Sequence, residues 1–328
     1  MKRFTVYLLL LCLLLAGCDS EVIAQRQIFA MDTYMSLKIW GDDEVLTEVV
    51  RTIQQLDSLL DVTNENSELY QLNHNRAAAV SDMTADLIRT AISEAERTGG
   101  AFDPTIYPLT QAWGFTTDTQ QVPSQEAIDA LLPCVGTAHI LVDGTQIALT
   151  EGAQLDLGGI AKGYAAQVSI ELLQARGIKT ALLSLGGNVQ TLGSKPDGEP
   201  WVIGIANPEK PSEEIAILTF TGSLALVTSG GYQRYFEQAG VRYSHILDPE
   251  TGYPADNGLA SVTILTQDGT TADALSTALY VMGLERASEF WRESSDFEAV
   301  FITESGEILA TAGAAPLLSG CEFQVIER

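Results

Sequence analysis

Residues 156–163 combine a carboxylate, a glycine turn and a lysine at the start of a helical pattern. Glycines lack a Cβ, so phosphates of a ligand can approach the backbone, and a helix start presents unpaired N–H groups to an anion. Further along, Asp273 and Thr277 lie four residues apart and therefore share one face of a helix. Hard oxygen ligands on one face suit Mg²⁺, which completes its shell with water and substrate phosphates. The two segments together predict a metal-dependent site for a phosphorylated ligand.

Each of these segments also has a purely structural interpretation. The glycines would equally allow a helix to pack closely on a strand, Asp273 would serve as an N-cap with Thr277 buried, and Lys162 would be a solvated helix lysine. Two more glycine turns, 186–188 and 229–231, each follow an apolar strand. Three such turns favour a cleft in which backbone meets ligand, while tight turns required by topology are the competing explanation.

His245 stands where a strand pattern gives way to the turn dipeptides Asp248-Pro249 and Thr251-Gly252. A histidine at such a position can act as a general base near neutral pH. The alternative is a histidine with a structural role only.

Helical and strand patterns alternate irregularly along the chain. Amphipathic helices are predicted over 44–60 and 84–98, a third helix ends before Gly177, and a fourth covers 273–289. Asp143-Gly144 between two short apolar runs predicts a hairpin, and residues 64–75 are polar and loop-like. Strands are predicted over 28–40, 180–185, 201–206, 215–220, 225–228, 261–265, 299–302 and 308–311. Antiparallel hairpins and irregular alternation favour an α+β fold over a doubly wound parallel sheet.

The N-terminus has the features of a secretory signal. Lys2 and Arg3 precede an apolar run that is too short for a comfortable membrane helix, and Leu-Ala-Gly-Cys ends at Cys18. This ending resembles the lipobox of bacterial lipoproteins, which implies a signal peptide over 1–17 and a lipid on Cys18. Asp19 resembles the signal for retention at the inner membrane. We therefore expect a tether over 18–27 and a catalytic domain held outside the cytoplasm by a lipid anchor in the cytoplasmic membrane.

Composition restricts the partners. The 328 residues carry a formal charge of −25, which repels nucleic acid and does not favour a polybasic membrane patch. Three histidines and the lack of a Cys-x-x-Cys motif do not favour a zinc site. Cys134 and Cys321 would remain after loss of the signal and lipidation of Cys18, and nothing in the sequence decides whether they pair.

Taken together, these segments resemble the ApbE family, the FAD:protein FMN transferases, from Met31 to about Gly283, and we assign residues 28–328 to one such domain. The matching pieces occur in the order of the family. They are Met31-Asp32-Thr33, Ser67-Glu68-Leu69 with Asn73, Gly100-Ala101-Phe102-Asp103-Pro104-Thr105, Trp113-Gly114-Phe115, residues 156–163, Ser184-Leu185-Gly186-Gly187-Asn188, Ser229-Gly230-Gly231-Tyr232, residues 245–252 and residues 273–277.

The resemblance implies a fold and an activity. The fold would contain mixed, largely antiparallel sheets with packed helices and a ligand cleft between two subdomains. In the family reaction, FAD is the substrate, a threonine hydroxyl of an acceptor flavoprotein attacks the phosphorus on the FMN side, and AMP leaves. The acceptor would belong to a membrane electron-transport complex. The implied cofactor is Mg²⁺, with Mn²⁺ as an alternative.

The resemblance also implies roles for individual residues. The metal ligands would be the Asp273 carboxylate, the Thr277 hydroxyl and the Gly159 carbonyl, and His245 would deprotonate the acceptor hydroxyl. The residues expected to line the FAD site are Met31, Ala101, Phe102, Asp103, Asp156, Lys162 and Leu247.

Two positions depart from the pattern of the family. Asp32 replaces the usual glycine, and Thr63 replaces a tyrosine that could stack on a flavin. Tyr70 and Tyr107 are the two candidates for that stacking role. Two alternative functions stay open at this point: hydrolysis of FAD to FMN and AMP, and non-catalytic binding of a solute or flavin by a lipoprotein.

Overall fold

The computed structural model describes residues 22–117 and 119–328. The predicted signal peptide, Cys18 and the first part of the tether lie outside these residues. Within the described ranges, no helix has the length and apolarity needed to span a bilayer.

A nine-stranded sheet forms the centre of the molecule, and three smaller sheets surround it. The strands are β1 (Ile23–Ala30), β2 (Thr33–Trp40), β3 (Ala77–Ala79), β4 (Ile140–Asp143), β5 (Gln146–Leu149), β6 (Ala181–Leu185), β7 (Asn188–Leu192), β8 (Trp201–Asn207), β9 (Lys210–Phe220), β10 (Leu224–Gly230), β11 (Tyr235–Gln238), β12 (Val241–Ser244), β13 (Leu259–Thr266), β14 (Phe297–Thr303), β15 (Ile308–Thr311), β16 (Leu318–Ser319) and β17 (Gln324–Ile326). The central order is β1-β2-β6-β7-β10-β13-β14-β15-β17, and only the β15–β17 pair is parallel. The smaller sheets are β16-β9-β8, β3-β5-β4 and β11-β12.

Seven α-helices are present in the described residues. They are α1 (Asp43–Leu60), α2 (Glu68–Asn75), α3 (Asp82–Arg97), α4 (Tyr107–Trp113), α5 (Gln125–Leu131), α6 (Ala161–Ala175) and α7 (Gly269–Glu293). Most begin at a residue whose side-chain oxygen accepts from a backbone N–H of the first turn, the usual N-cap arrangement. These caps are Asp42, Ser67, Ser81, Ser124 and Asp268.

The two faces of the central sheet are both covered, as alternation along its strands shows. On β10, Val227 belongs to the main core with α6 and α7, whereas its neighbour Leu226 belongs to a second core. Successive residues of a strand point to opposite faces. The second core is closed by the β16-β9-β8 sheet, which contributes Trp201 and Leu218. Helices therefore cover one face and a small sheet covers part of the other.

The α+β prediction with largely antiparallel sheets is confirmed, and so are the helices over 44–60 and 84–98 and the hairpin at Asp143-Gly144. Three local predictions were wrong. The tether was expected to reach residue 27, but β1 already begins at Ile23 because it pairs along its whole length with β2. Residues 28–40 form two strands rather than one, since Met31 and Asp32 turn the chain with φ of 49° and 57°.

The third wrong prediction was the loop over 64–75, where α2 begins at Glu68. Only three of its eight residues are buried, so its apolar stripe is too short to show as a helical period. The helix predicted over 273–289 is interrupted at Gly283, where φ is 75° and ψ is 170°. Asn257 Nδ2 donates to the Tyr280 carbonyl at 2.7 Å, which satisfies an acceptor that the interruption leaves unpaired.

Candidate functional site

The segment 156–163, called here the glycine loop, lies against the first turns of α7. The Gly163 N–H donates to Asp273 Oδ2 at 2.8 Å. A Cβ on Gly163 would lie 2.1 Å from the Gly269 carbonyl oxygen and 2.6 Å from Asp273 Cβ, so only glycine allows this approach. Gly163 itself lies inside α6, which begins at Ala161. The glycine therefore serves helix packing and, through its N–H, also orients the Asp273 carboxylate.

Gly159 and Thr277 meet one turn further along α7. A Cβ on Gly159 would lie 3.5 Å from Thr277 Oγ1 and 3.3 Å from Phe102 Cε2. Ser229 Oγ lies 3.4 Å from Thr277 Oγ1 and 2.8 Å from Ser276 Oγ. The glycine loop, α7 and the end of β10 thus converge. All three residues predicted as metal ligands lie in this region.

The donor set at this convergence fits a hard divalent cation. Asp273 is only 3% exposed, and among the described residues no lysine, arginine or histidine forms an ion pair with it. Buried carboxylates are generally paired or bound to metal. The described chain holds no cluster of three or more His, Cys, Asp or Glu side chains suited to a metal. A divalent cation here would have three protein ligands: one carboxylate, one hydroxyl and one carbonyl. Its other coordination positions would be filled by oxygens of water or substrate.

His245 is held as a neutral base. Its Nδ1 lies 3.0 Å from the Arg234 carbonyl oxygen, which can only accept, so Nδ1 carries the proton and Nε2 keeps a lone pair. Desolvation is the largest effect on His245 and lowers its pKa to about 4. The hydrogen bond to the Arg234 carbonyl raises this pKa by a smaller amount. The positive charges of Arg234 and Lys162 lower this pKa further. The imidazole is therefore neutral at neutral pH, as a general base must be.

Asp156 and Lys162 lie in the same electrostatic neighbourhood as His245. Burial raises the pKa of Asp156, while the Gly158 N–H, which donates to Asp156 Oδ1 at 2.8 Å, and the charges of Lys162 and Arg234 lower it. Lys162 Nζ donates to the Gly158 carbonyl at 3.2 Å. These contacts place a carboxylate and two cations beside the glycine loop, which an acidic protein needs if it is to hold a polyanionic ligand.

Ala101, Phe102 and Asp103 form a buried segment beside the loop. Phe102 is the direct contact, since it packs against Gly159. Asp103 Oδ1 accepts from Thr105 N at 2.8 Å and from Thr105 Oγ1 at 2.5 Å. Burial raises the pKa of Asp103, and these bonds oppose that effect. The Asp103 side chain thus orders its own loop in this structure.

Met31 and Leu247 lie in two other parts of the region. The Met31 N–H donates to Asp57 Oδ1 at 2.8 Å, and the turn it belongs to meets the second glycine turn, because a Cβ on Gly186 would lie 2.3 Å from Thr33 Oγ1. Leu247 is buried in a separate cluster with Trp113. That cluster contains none of the candidate metal ligands.

Tyr107 is better placed than Tyr70 for contact with a ligand in this region. Burial is the main cause that raises the pKa of Tyr107, and the nearby charge of Asp156 raises it as well. Its hydroxyl donates to the Val62 carbonyl at 3.3 Å, next to Thr63. Tyr70 instead stacks on His74, with ring centroids 5.9 Å apart.

Sequence reasoning missed Arg234 and Ser276. Arg234 orients His245 through its carbonyl and contributes a charge close to Asp156. The only signal was its position just after the turn at 229–231, which gives no chemistry by itself. Cys134 and Cys321, whose pairing the sequence left open, are both free thiols in this structure.

Comparisons with known proteins agree with this arrangement. The model of the ApbE family matches residues 31–301. A protein of Vibrio cholerae named FAD:protein FMN transferase is 34% identical over 290 residues, which cover 84% of this chain and 86% of that protein. One of Klebsiella pneumoniae with the same name is 35% identical over 321 residues, covering 94% and 98%.

Solved structures agree as well. The crystal structure of an ApbE protein from Thermotoga maritima matches with a TM-score of 0.84 at 34% identity, over 90% of this chain and 99% of that one. The apo flavinyl transferase ApbE of Pseudomonas stutzeri matches with a TM-score of 0.81 at 30% identity, over 92% and 98%. Sequence, fold and the convergence of the glycine loop with α7 thus lead to one conclusion, that this chain belongs to the ApbE family.

Proposed function

We propose that this protein transfers the FMN moiety of FAD to a threonine hydroxyl of an acceptor flavoprotein, in a reaction that depends on Mg²⁺ or Mn²⁺ and releases AMP. The enzyme is a transferase, the class that its relatives' shared name, FAD:protein FMN transferase, denotes. The observation that carries the proposal is the convergence of Gly159, Asp273 and Thr277 beside Lys162 and a neutral His245.

The chemistry would follow from these residues. The acceptor threonine oxygen forms a bond to the FMN-side phosphorus, the bond from that phosphorus to the oxygen of AMP breaks, and AMP leaves. Nε2 of His245 takes the threonine proton, because Nδ1 is already engaged with Arg234. Phosphoryl transfer depends mainly on positioning and charge neutralisation. Lys162 supplies positive charge beside the glycine loop, and its Nζ donates a hydrogen bond to the Gly158 carbonyl that holds the ammonium group in place.

A divalent cation held by Asp273, Thr277 and the Gly159 carbonyl would supply charge neutralisation at the diphosphate. The Gly163 N–H would fix the carboxylate for this purpose, since it donates a hydrogen bond to Asp273 Oδ2 at 2.8 Å. Glycine at 159 keeps the space beside Thr277 and Phe102 open.

The test is a transfer assay with purified protein, FAD, Mg²⁺ and an acceptor domain that bears the threonine. We expect a fluorescent acceptor and one AMP per FMN transferred, and neither product with the acceptor threonine changed to alanine. Release of FMN and AMP regardless of acceptor would instead indicate an FAD pyrophosphatase. Binding of FAD without metal and without turnover would indicate a solute-binding or flavin-binding lipoprotein.

We also propose a location and a partner. Residues 1–18 carry the lipobox pattern, which supports a lipid anchor on Cys18 in the cytoplasmic membrane with the catalytic domain outside the cytoplasm. An acceptor flavoprotein of a membrane electron-transport complex would be within reach there. Cys18→Ala should abolish the incorporation of labelled palmitate into the protein. Unchanged labelling would contradict the anchor while leaving the enzymatic proposal intact.

A further inference from the structure

Asn188 holds a buried amide that has no partner. It is the first residue of β7 and is 3% exposed, and among the described residues nothing accepts a hydrogen bond from its Nδ2. Buried polar groups are nearly always hydrogen-bonded, and an unpaired one is costly. A side chain of this kind calls for an explanation, and the mechanism above does not use it.

The side chain lies on the sheet face that α6 and α7 cover. Gln190, two residues along β7, shares this face. Gln190 Nε2 donates to Gln167 Oε1 of α6 at 2.9 Å, and its Oε1 would be 2.4 Å from a Cβ on Gly269 of α7. Asn188 therefore lies under the groove between these two helices, further toward the glycine turn at 186–187.

The register of the sheet places Asn188 at the level of Asp273 along α7. On β10, Ala225 pairs with Gln190 and Val227 pairs with Asn188. Gln190 approaches Gly269, whereas Ser229 contacts Ser276 and Thr277. From 225 to 229 the strand advances about 13 Å and from 269 to 277 the helix advances about 12 Å, at their usual rises per residue. The midpoint of the strand, occupied by Val227 and Asn188, thus lies at the level of residue 273.

We infer that Asn188 Nδ2 donates a hydrogen bond to an oxygen that enters with the ligand at the Asp273 site. This oxygen is either a diphosphate oxygen of FAD or a water on the divalent cation. The inference rests on the proposed function, because it takes FAD and a cation as the occupants. It assigns to Asn188 a direct binding role, and it explains why a costly unpaired amide is buried at this position.

The test compares Asn188→Leu with wild-type protein, and uses Gln190→Met, on the same strand face, as a matched control. Leucine branches at Cγ as asparagine does and has no donor. The variant free of metal and FAD should show a higher Tm than wild type, because the unpaired amide is removed. Its affinity for ligand should fall roughly 10- to 100-fold, the loss expected for a hydrogen bond to a charged group. Gln190→Met removes the bond to Gln167 and also a buried oxygen, Oε1, that has no partner. Its affinity for ligand should stay unchanged, and that affinity is the control.

Two binding measurements distinguish the sources of the oxygen. Binding of Mn²⁺ alone is followed by electron paramagnetic resonance, and binding of FAD with Mg²⁺ by calorimetry. Weaker FAD binding with unchanged Mn²⁺ binding identifies a diphosphate oxygen, whereas weaker Mn²⁺ binding without FAD identifies a metal-bound water. Asn188→Ala, which removes the donor without adding a charge near Asp273, provides the same comparison if the leucine variant does not fold.

The inference would be overturned if the Asn188 variants bind both ligands with wild-type affinity. It would also be overturned if the ligand-free Asn188→Leu protein has a lower Tm than wild type and an unchanged affinity. The proposed function has a separate test. Wild-type protein that binds FAD and Mn²⁺ but transfers no FMN would refute the transferase proposal, while weaker binding by the variants would still support the role of Asn188.

Discussion

The protonation of His245 provides the sharpest quantitative prediction. Desolvation lowers its pKa from the ordinary value of 6.5 to about 4. The folded protein therefore binds this proton less readily than the unfolded chain. Between pH 6.5 and 4 the unfolded chain carries more protons at this residue, so the free energy of unfolding falls as the pH is lowered through that window. At about 1.4 kcal/mol per pKa unit, the full loss is about 3 kcal/mol.

His245→Gln isolates this contribution. Glutamine does not titrate in this range, and its amide N–H can still donate to the Arg234 carbonyl that His245 uses. Asp103, Asp156 and Glu94, whose pKa values burial raises, titrate in both proteins and cancel in the difference. Urea unfolding at pH 7 and pH 4 should therefore show wild type losing about 3 kcal/mol more than the variant.

The same pKa governs activity. A group with a pKa near 4 is roughly 0.3% protonated at pH 6.5, whereas an ordinary histidine would be half protonated. The value of kcat/KM for FMN transfer should stay flat from pH 7 to about 5.5 and fall tenfold per pH unit below 4. An acid limb near pH 6.5, or a stability difference from the variant below about 1 kcal/mol, would refute the desolvated, neutral base.

Three other predictions concern the convergence of the glycine loop with α7. Asp273→Asn retains an oxygen for the Gly163 N–H but loses the negative charge. Steady-state kinetics should show turnover at saturating FAD at least about 100-fold lower than in wild type, with little change in FAD affinity. Equal turnover of variant and wild type across a Mg²⁺ titration would contradict the metal assignment. Treatment with EDTA should abolish transfer by wild type, and added Mg²⁺ or Mn²⁺ should restore it; activity that survives chelation would exclude a metal-dependent reaction. Gly163→Ala should lower the free energy of unfolding by about 1–3 kcal/mol in urea titrations, because its Cβ would lie 2.1 Å from the Gly269 carbonyl. The control Gly177→Ala, with φ of +79° and no atom within 4 Å of the added Cβ, should lose only about 1 kcal/mol.

Local patterns predicted most of the elements around the site. The periodicity of 44–60 and 84–98 gave both helices to within two residues, since long amphipathic stripes are the strongest signal in a sequence. The loop expected over 64–75 was wrong for the converse reason, because α2 buries only three residues. The turn at Met31 and Asp32 was also missed, since left-handed φ values at two non-glycine residues contradict the local preference.

The sequence by itself determined the fold class, the glycine-rich start of α6, and the spacing that puts Asp273 and Thr277 on one helix face, because turn chemistry and helix periodicity are local properties. Only the tertiary structure decided that Gly163 and Asp273, 110 residues apart, would share a hydrogen bond. The same holds for the neutral state of His245, which results from desolvation and from the carbonyl of Arg234 on the neighbouring chain segment. The unpaired amide of Asn188 depends on the register of β7 against β10 and on the helices above it. Burial and long-range approach are produced by packing the whole chain, and no local pattern encodes them.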